Sequence, residues 1–333
     1  MRGNTWARLE AEVLVYMPQN LRRVAQNLLS SLPPGALEGL SEIRVRQGMP
    51  LAFMCRGAET PVPQNDYCVS QDDIARMFNI ISANSVHAHE EEIRAGYVTV
   101  KGGHRIGMAG KAVLDRGRVQ TLRHIRSFNI RIARDLPGAS SVVLPLVVVS
   151  GRPLATLVAG PPGSGKTTIL RELCRQFSNG VPELGLRPQN VGVVDERSEI
   201  AGCYGGIPQN DVGPRTDILD ACPKAEGMMM LIRAMGPDVL ITDEIGTIED
   251  AVAILEATVA GVVVLASAHA SSRADLSRRP GLSRLLDARA FGRIVLLSGS
   301  REPGTIEQVW DAAGEPLLGS IAGGAAGDRA AGL

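Results

Sequence analysis

A lysine and a hydroxyl residue set in a glycine-rich turn are the side chains of this sequence best suited to chemistry on phosphate. Gly160-Pro161-Pro162-Gly163-Ser164-Gly165-Lys166-Thr167-Thr168 fits the pattern G-x-x-x-x-G-K-[ST], with Gly160, Gly165, Lys166 and Thr167 at its fixed positions. Glycine lets the backbone curl so that successive N–H groups point inward at phosphate oxygens. In that pattern the lysine neutralises the β- and γ-phosphates, Thr167 holds Mg²⁺, and the following helix offers its positive N-terminal end. A Gly/Pro turn can match by chance. Here an apolar run at residues 154–159 precedes the turn and a helical pattern at 168–177 follows it, which is the setting the motif requires. The expected ligands are ATP and Mg²⁺.

Carboxylates supply the other half of the chemistry. Pro237-Asp-Val-Leu-Ile-Thr-Asp-Glu244 reads as an apolar strand that delivers two acids at its end. Asp243 can hold Mg²⁺ through its water shell, and Glu244 can orient or deprotonate an attacking water. A strand ending in Asp-Glu is weak alone, because caps and solvated loops look the same. It gains weight from lying 77 residues after Lys166 with strand–helix alternation between. Val193-Val-Asp-Glu-Arg-Ser-Glu199 is a second such strand. Asp195, Glu196 and Glu199 either position water or metal on the other flank of the nucleotide or simply satisfy a helix start. Convergence of strand ends in one parallel sheet favours the first use. His269, after a further apolar strand, reads as a γ-phosphate sensor, against the commoner role of an ordinary hydrogen-bonded histidine. His87 and His89, before three glutamates, read as a solvated face rather than metal ligands.

Lys+Arg and Asp+Glu both number 35, so no net field draws the chain to nucleic acid or anionic membrane. The balance is uneven locally: nine Lys/Arg and only Asp115 fall between Lys101 and Arg134. This stretch is a solvated surface, a nucleic-acid track, or a source of arginines for a neighbouring subunit's ATP. Stacking on single strands needs aromatics, and only Phe128 lies within it. An arginine supplied in trans accelerates phosphoryl transfer by roughly 10³–10⁵. Arg105 and Arg131 are the leading candidates for that use.

The elements that must position these groups fall into two patterns. Residues 1–138 read as a smaller mixed α/β domain, with a helix at 21–29, short strands at 43–45 and 51–54, and a helix at 72–80 capped by Ser70. Glycine-separated strands follow at 96–100, 105–109, 111–114 and 127–133. Residues 144–312 alternate apolar strands (156–159, 191–194, 239–242, 262–267, 294–297) with helices (168–177, 225–234, 248–260), the signature of a mainly parallel sheet covered on both faces. Residues 205–227 read as a long Gly/Pro-rich loop able to touch substrate, partner or the next subunit. Residues 313–333 form a tail whose Gly/Ala-rich part, from 319 on, is too poor in bulky apolar residues to pack and is expected to be disordered. Five cysteines without a C-x-x-C pair fit a reducing cytosol better than a disulfide framework or zinc site. The start lacks the apolar core of a signal peptide, and the apolar run at 144–149 is too short to span a bilayer. Membrane association is thus expected through partners, without direct insertion.

Several blocks resemble the sporulation ATPase family called stage III sporulation protein AA. They are Val194-Asp-Glu-Arg-Ser-Glu-Ile-Ala-Gly202, Arg215-Thr-Asp217, Cys222-Pro-Lys-Ala225, residues 237–246, Gly102-Gly-His-Arg105 and Asn129-Ile-Arg131. That family is similar in turn to the hexameric ATPases of type II, type IV and pilus machines. The resemblance implies a RecA-like P-loop domain behind the N-terminal domain, with Asp195-Glu196 as an acidic box and His269 in a histidine box. It implies a cytoplasmic hexameric ring in the mother cell, bound to membrane components of the stage III channel complex. ATP hydrolysis would energise that channel between mother cell and forespore. A nucleic-acid-stimulated motor and a nucleotide-binding scaffold with little hydrolysis are the alternatives. Thr247 stands where the family usually has arginine, so a role assigned to that arginine has no counterpart here.

Overall fold

The computed structural model describes residues 2–32, 35–55, 57–60, 67–82, 90–133 and 136–318. His87 and His89, and the tail from 319 on, lie outside the described residues. The chain forms two compact units, one of residues 1–134 with 202–209, the other of 135–201 with 210–333.

The first unit is a six-stranded antiparallel sheet with helices on one face. Its strands are β1 (Leu40–Arg46), β2 (Ala52–Cys55), β3 (Ala58–Thr60), β4 (Tyr97–Val100), β5 (His104–Asp115) and β6 (Arg118–Arg131), in the order β3-β2-β1-β6-β5-β4. Alternation decides which face is which. Ile43, Val45, Ile106, Phe128 and Ile130 are buried among residues of α1 (Arg2–Glu12), α2 (Gln19–Ser30) and α4 (Gln71–Ile81). Two shorter helices, α3 (Ala36–Gly39) and α5 (Glu90–Ala95), complete the unit. The in-between positions of the central strands carry Arg44, Arg105 and Arg131, with Arg105 directly opposite Arg131 in the β5–β6 register. The segments expected at 105–109 and 111–114 are one strand, because Gly110 gives a bulge instead of a break; a Cβ there would stand 2.7 Å from Arg123 O. Ser70 caps α4 in a reciprocal box with Asp73, as its sequence position suggests.

The second unit is built on an eight-stranded sheet, accompanied by a two-residue ribbon of β7 (Val148–Val149) and β8 (Arg152–Pro153). The strands are β9 (Thr156–Gly160), β10 (Val191–Asp195), β11 (Thr216–Asp220), β12 (Val239–Thr242), β13 (Val263–His269), β14 (Arg293–Leu297), β15 (Ile306–Asp311) and β16 (Pro316–Leu318). Their order is β11-β10-β12-β13-β9-β14-β15-β16, parallel through β14 and antiparallel at the last two. Every residue of β9, β10 and β12 is buried, as a sheet covered on both faces demands. Its helices are α6 (Leu144–Val147), α7 (Lys166–Asn179), α8 (Lys224–Met235), α9 (Ile248–Val259), α10 (Arg273–Ser277) and α11 (Pro280–Asp287). Residues 205–227 are not loop throughout: β11 lies inside them. Its two aspartates and half-buried edge position hide it from a search for apolar runs.

Candidate active site

One topological feature assembles the site. β13 runs between β9, which ends at the glycine turn, and β12, which ends at Asp243–Glu244. The shared parallel direction places Gly160 beside His269 and Thr242 beside Ala266. Lysine turn, histidine and carboxylates therefore meet at the carboxyl ends of three adjacent strands, where open α/β sheets bind ligands.

The turn is shaped as a cradle. Gly163 and Gly165 take φ of +76° and +93°, values that suit glycine alone, and a Cβ on Gly160 would fall 2.5 Å from Ser164 Oγ. Ser164 Oγ is buried without a hydrogen-bond partner. Lys166 begins α7 and is 5% exposed. Its ammonium donates to Gly160 O at 3.0 Å, Pro161 O at 2.9 Å and His269 Nδ1 at 3.1 Å. Burial pushes the Lys166 pKa down, against the opposing pull of Asp243, Glu244 and Glu199. Thr167 Oγ1 donates to Asp243 Oδ2 at 2.5 Å, so a hydroxyl and a carboxylate oxygen stand together as hard-cation ligands require. Cradle, orphan hydroxyl, lysine and this oxygen pair all fit a Mg²⁺-bound phosphate chain.

On the far side, Asp243 Oδ1 accepts from Ser267 Oγ and, at 2.9 Å, from the Glu244 N–H. That N–H also meets Ser267 Oγ at 3.0 Å, and Glu244 is left-handed at φ +51°, an uncommon conformation for a non-glycine residue. Because Lys166 donates to Nδ1, His269 carries its proton on Nε2 and donates it to Glu244 Oε1 at 2.8 Å. Glu244 Oε2 is ion-paired with Arg197. Burial works to raise the Glu244 pKa. The His269 hydrogen bond and the Arg197 and Lys166 charges outweigh it and keep the carboxyl below its usual range.

The remaining predicted residues have other partners. Asp195 is buried, and its carboxylate accepts the N–H groups of Glu199 and Ala201 at 2.8 Å each, ordering the loop after β10. Burial raises its pKa in spite of those bonds. Glu196 pairs with Lys224. Arg105 stacks over Tyr97 at 3.6 Å, and Arg131 lies 3.7 Å from Glu42, both on the sheet of the first unit. There they line a basic cavity of about 350 Å³ together with Arg44 and Arg46. Thr247 caps α9: its Oγ1 accepts the Asp250 N–H at 3.0 Å.

Sequence pattern does not single out Ser267 or Arg197 as site residues, although Arg197 sits in the acidic block and Ser267 is a lone hydroxyl in the apolar β13. Nor does it reveal an apolar cavity of about 580 Å³ beside Gly165 and Thr168, lined by Leu136, Pro137, Val142, Ile169, Pro303 and Ile306. Three separated segments build that cavity, so no local spacing encodes it.

The fold is a RecA-like P-loop domain preceded by an N-terminal α/β domain. Solved structures share the fold. The Legionella pneumophila ATPase DotB superposes with a TM-score of 0.55 at 15% identity, covering 89% of this chain and 81% of DotB. The pilus retraction motor PilT with bound ADP gives 0.53 at 17% identity, covering 78% and 75%. The family profile "Sporulation stage III, protein AA" matches residues 10–317. Stage III sporulation protein AA of Bacillus subtilis (strain 168) is 44% identical over 306 residues, 92% of this chain and 96% of that protein. The chain belongs to the stage III sporulation protein AA family.

Proposed function

We propose that this protein hydrolyses ATP and that the energy drives a trans-envelope sporulation channel between mother cell and forespore. The observation that carries the reading is the Thr167–Asp243 contact at 2.5 Å, flanked by Lys166 on one side and the His269–Glu244 pair on the other. Lys166 and the Gly160–Thr168 backbone bind the phosphates, and the apolar cavity beside Gly165 and Thr168 accepts the base. Thr167 and Asp243 hold Mg²⁺, whose charge offsets that of the β- and γ-phosphates. Glu244 takes a proton from, or orients, the attacking water, and His269 fixes the carboxylate through Oε1. Glu196 and Lys224 stiffen the adjoining loop.

Arg105 or Arg131 reaches a neighbouring subunit's nucleotide in a ring, taken as a hexamer. Their cross-strand pairing on an open basic face supports that use. The ring works in the cytoplasm of the mother cell, held at the membrane by the channel's membrane components. Among the described residues no helix is long and apolar enough to cross a membrane.

Phosphate release from ATP by the purified chain tests this. Hydrolysis that Lys166→Ala abolishes is the expected result. Turnover unaffected by Lys166→Ala, or none in the native chain at any protein concentration, would refute it.

A further inference from the structure

Glu244, the proposed water-activating carboxylate, has a partner on each oxygen. His269 Nε2 donates to one oxygen at 2.8 Å and Arg197 pairs with the other. Two such donors stabilise the ionised form and make the carboxylate a weaker base, so losing one of them would raise its basicity. The backbone of Glu244 is fixed by its N–H bonds to Asp243 Oδ1 and Ser267 Oγ. His269 is tied through Nδ1 to Lys166. The backbone around Arg197 is also fixed: Asp195 gathers the Glu199 and Ala201 N–H groups, and Ser198, at φ +52°, donates to Asp220 at 2.5 Å. The Arg197 side chain is different. It is 59% exposed and reaches Glu244 from the end of a long, rotatable stem. A side chain of that length and exposure can be re-aimed without moving the fixed backbone.

Charge says where it goes. A γ-phosphate at Lys166 faces Asp243 and Glu244, two carboxylates that repel it, and Arg197 is a cation already in contact with Glu244. A planar guanidinium binds phosphate oxygens with two parallel, charge-assisted hydrogen bonds. ADP does not present that group.

We propose that Arg197 is the residue by which this site distinguishes ATP from ADP: its guanidinium exchanges the Glu244 carboxylate for the γ-phosphate, and Glu244 is thereby released to the attacking water. Arg197 is thus a γ-phosphate contact supplied by the same chain, and a positioning residue for Glu244. The inference rests on the reading of this crevice as a nucleoside-triphosphate site. A ligand favours one state only through a contact it makes there and not in the other, and the γ-phosphate is that contact.

The test is titration of the full chain with Mg-ADP and with Mg²⁺ and a non-hydrolysable ATP analogue, in native, Arg197→Gln, Arg197→Lys and Lys166→Ala forms, together with kcat and KM for ATP. Arg197→Gln is expected to weaken the analogue by about tenfold or more, leave ADP within about twofold, raise KM and lower kcat. Arg197→Lys, which keeps the charge without the fork, is expected to recover part of the loss. Equal weakening of both nucleotides would mark a structural role, and no change in either would mark a bystander; each overturns the exchange. Analogue binding that depends on Lys166 but ignores Arg197 sinks only this inference. Binding indifferent to Lys166→Ala sinks the nucleotide site itself.

Discussion

Glu244 is held by several constraints at once: a left-handed backbone, a bifurcated N–H bond, a histidine and an arginine. Strain of this kind persists only where the surroundings over-determine it, and it concentrates at working sites. Gly160 shows the same economy from the opposite direction. Any side chain there enters the space of Ser164 Oγ, 2.5 Å away, and of Leu297 Cβ, 3.1 Å away. Gly160→Ala is therefore expected to weaken ATP-analogue binding by about tenfold or more while the thermal midpoint moves by only a few degrees. Binding equal to the native chain would show that the cradle does not hold phosphate. His104 makes a different forecast. Ala133 N–H donates to its Nδ1 at 2.9 Å, so its proton is on Nε2, 3.2 Å from Glu12 Oε2. Burial lowers its pKa from the ordinary 6.5, with the Glu12 hydrogen bond opposing and Arg8 adding to the fall. The unfolded chain then binds the proton more readily, so stability is full above the unfolded value and declines as pH falls below about 6.5. Unfolding midpoints between pH 8 and pH 5 should drop less in His104→Gln than in the native chain. An equal drop in both would remove His104 from the pH response.

Elements differ in how plainly the sequence declares them, and the difference is physical. β9, β10, β12, β13 and β14 were legible because a parallel sheet buried on both faces needs unbroken apolar runs, and only those runs lie between helical stretches. The lysine turn and the strand-end acids follow from the same strands. α1 was not legible: its residues are mixed and polar, and tertiary packing of Leu9 and Trp6 decides its state. β11 and β16 are the edge strands and β15 lies next to one, and half-exposed positions there do not announce themselves by hydrophobicity. Arg197 and Ser267 escape for another reason: Arg197 meets Glu244 because β10 lies beside β12, and Ser267 meets Asp243 because β13 lies on the other side of β12, a crossover order that spacing does not reveal. Two element-level substitutions check the packing. Leu240→Ala in β12, fully buried, should cost about 2–5 kcal/mol in denaturant unfolding. Ser70→Ala, which removes the α4 cap, should cost about 0.5–2 kcal/mol. A smaller effect at Leu240 than at Ser70 would mean that the sheet interior is not packed as described.

The molecule as a whole is electrically neutral, yet one sheet face carries Arg44, Arg46, Arg105 and Arg131 around a shared cavity. Neutrality argues against a nucleic-acid motor, and the local face argues for an anionic partner of limited size, such as the phosphates of a neighbouring subunit's nucleotide. If so, specific activity should rise with protein concentration as subunits complete one another's sites. Arg105→Ala or Arg131→Ala should then lower kcat by up to roughly 10³-fold without loss of ATP binding. Activity strictly proportional to concentration, indifferent to both arginines, would leave that face without a catalytic role. A many-fold rise in rate on adding DNA or RNA at near-physiological salt would favour the nucleic-acid motor instead. All of this depends on the crevice between the lysine turn and the β12 acids turning over ATP. The decisive measurement pairs ATP retention with phosphate release in Glu244→Gln. Retention of bound ATP with hydrolysis slowed by about 10²-fold or more is the expected outcome. Release of phosphate at the native rate would mean that Glu244 does not activate the water, and that the chemistry lies elsewhere.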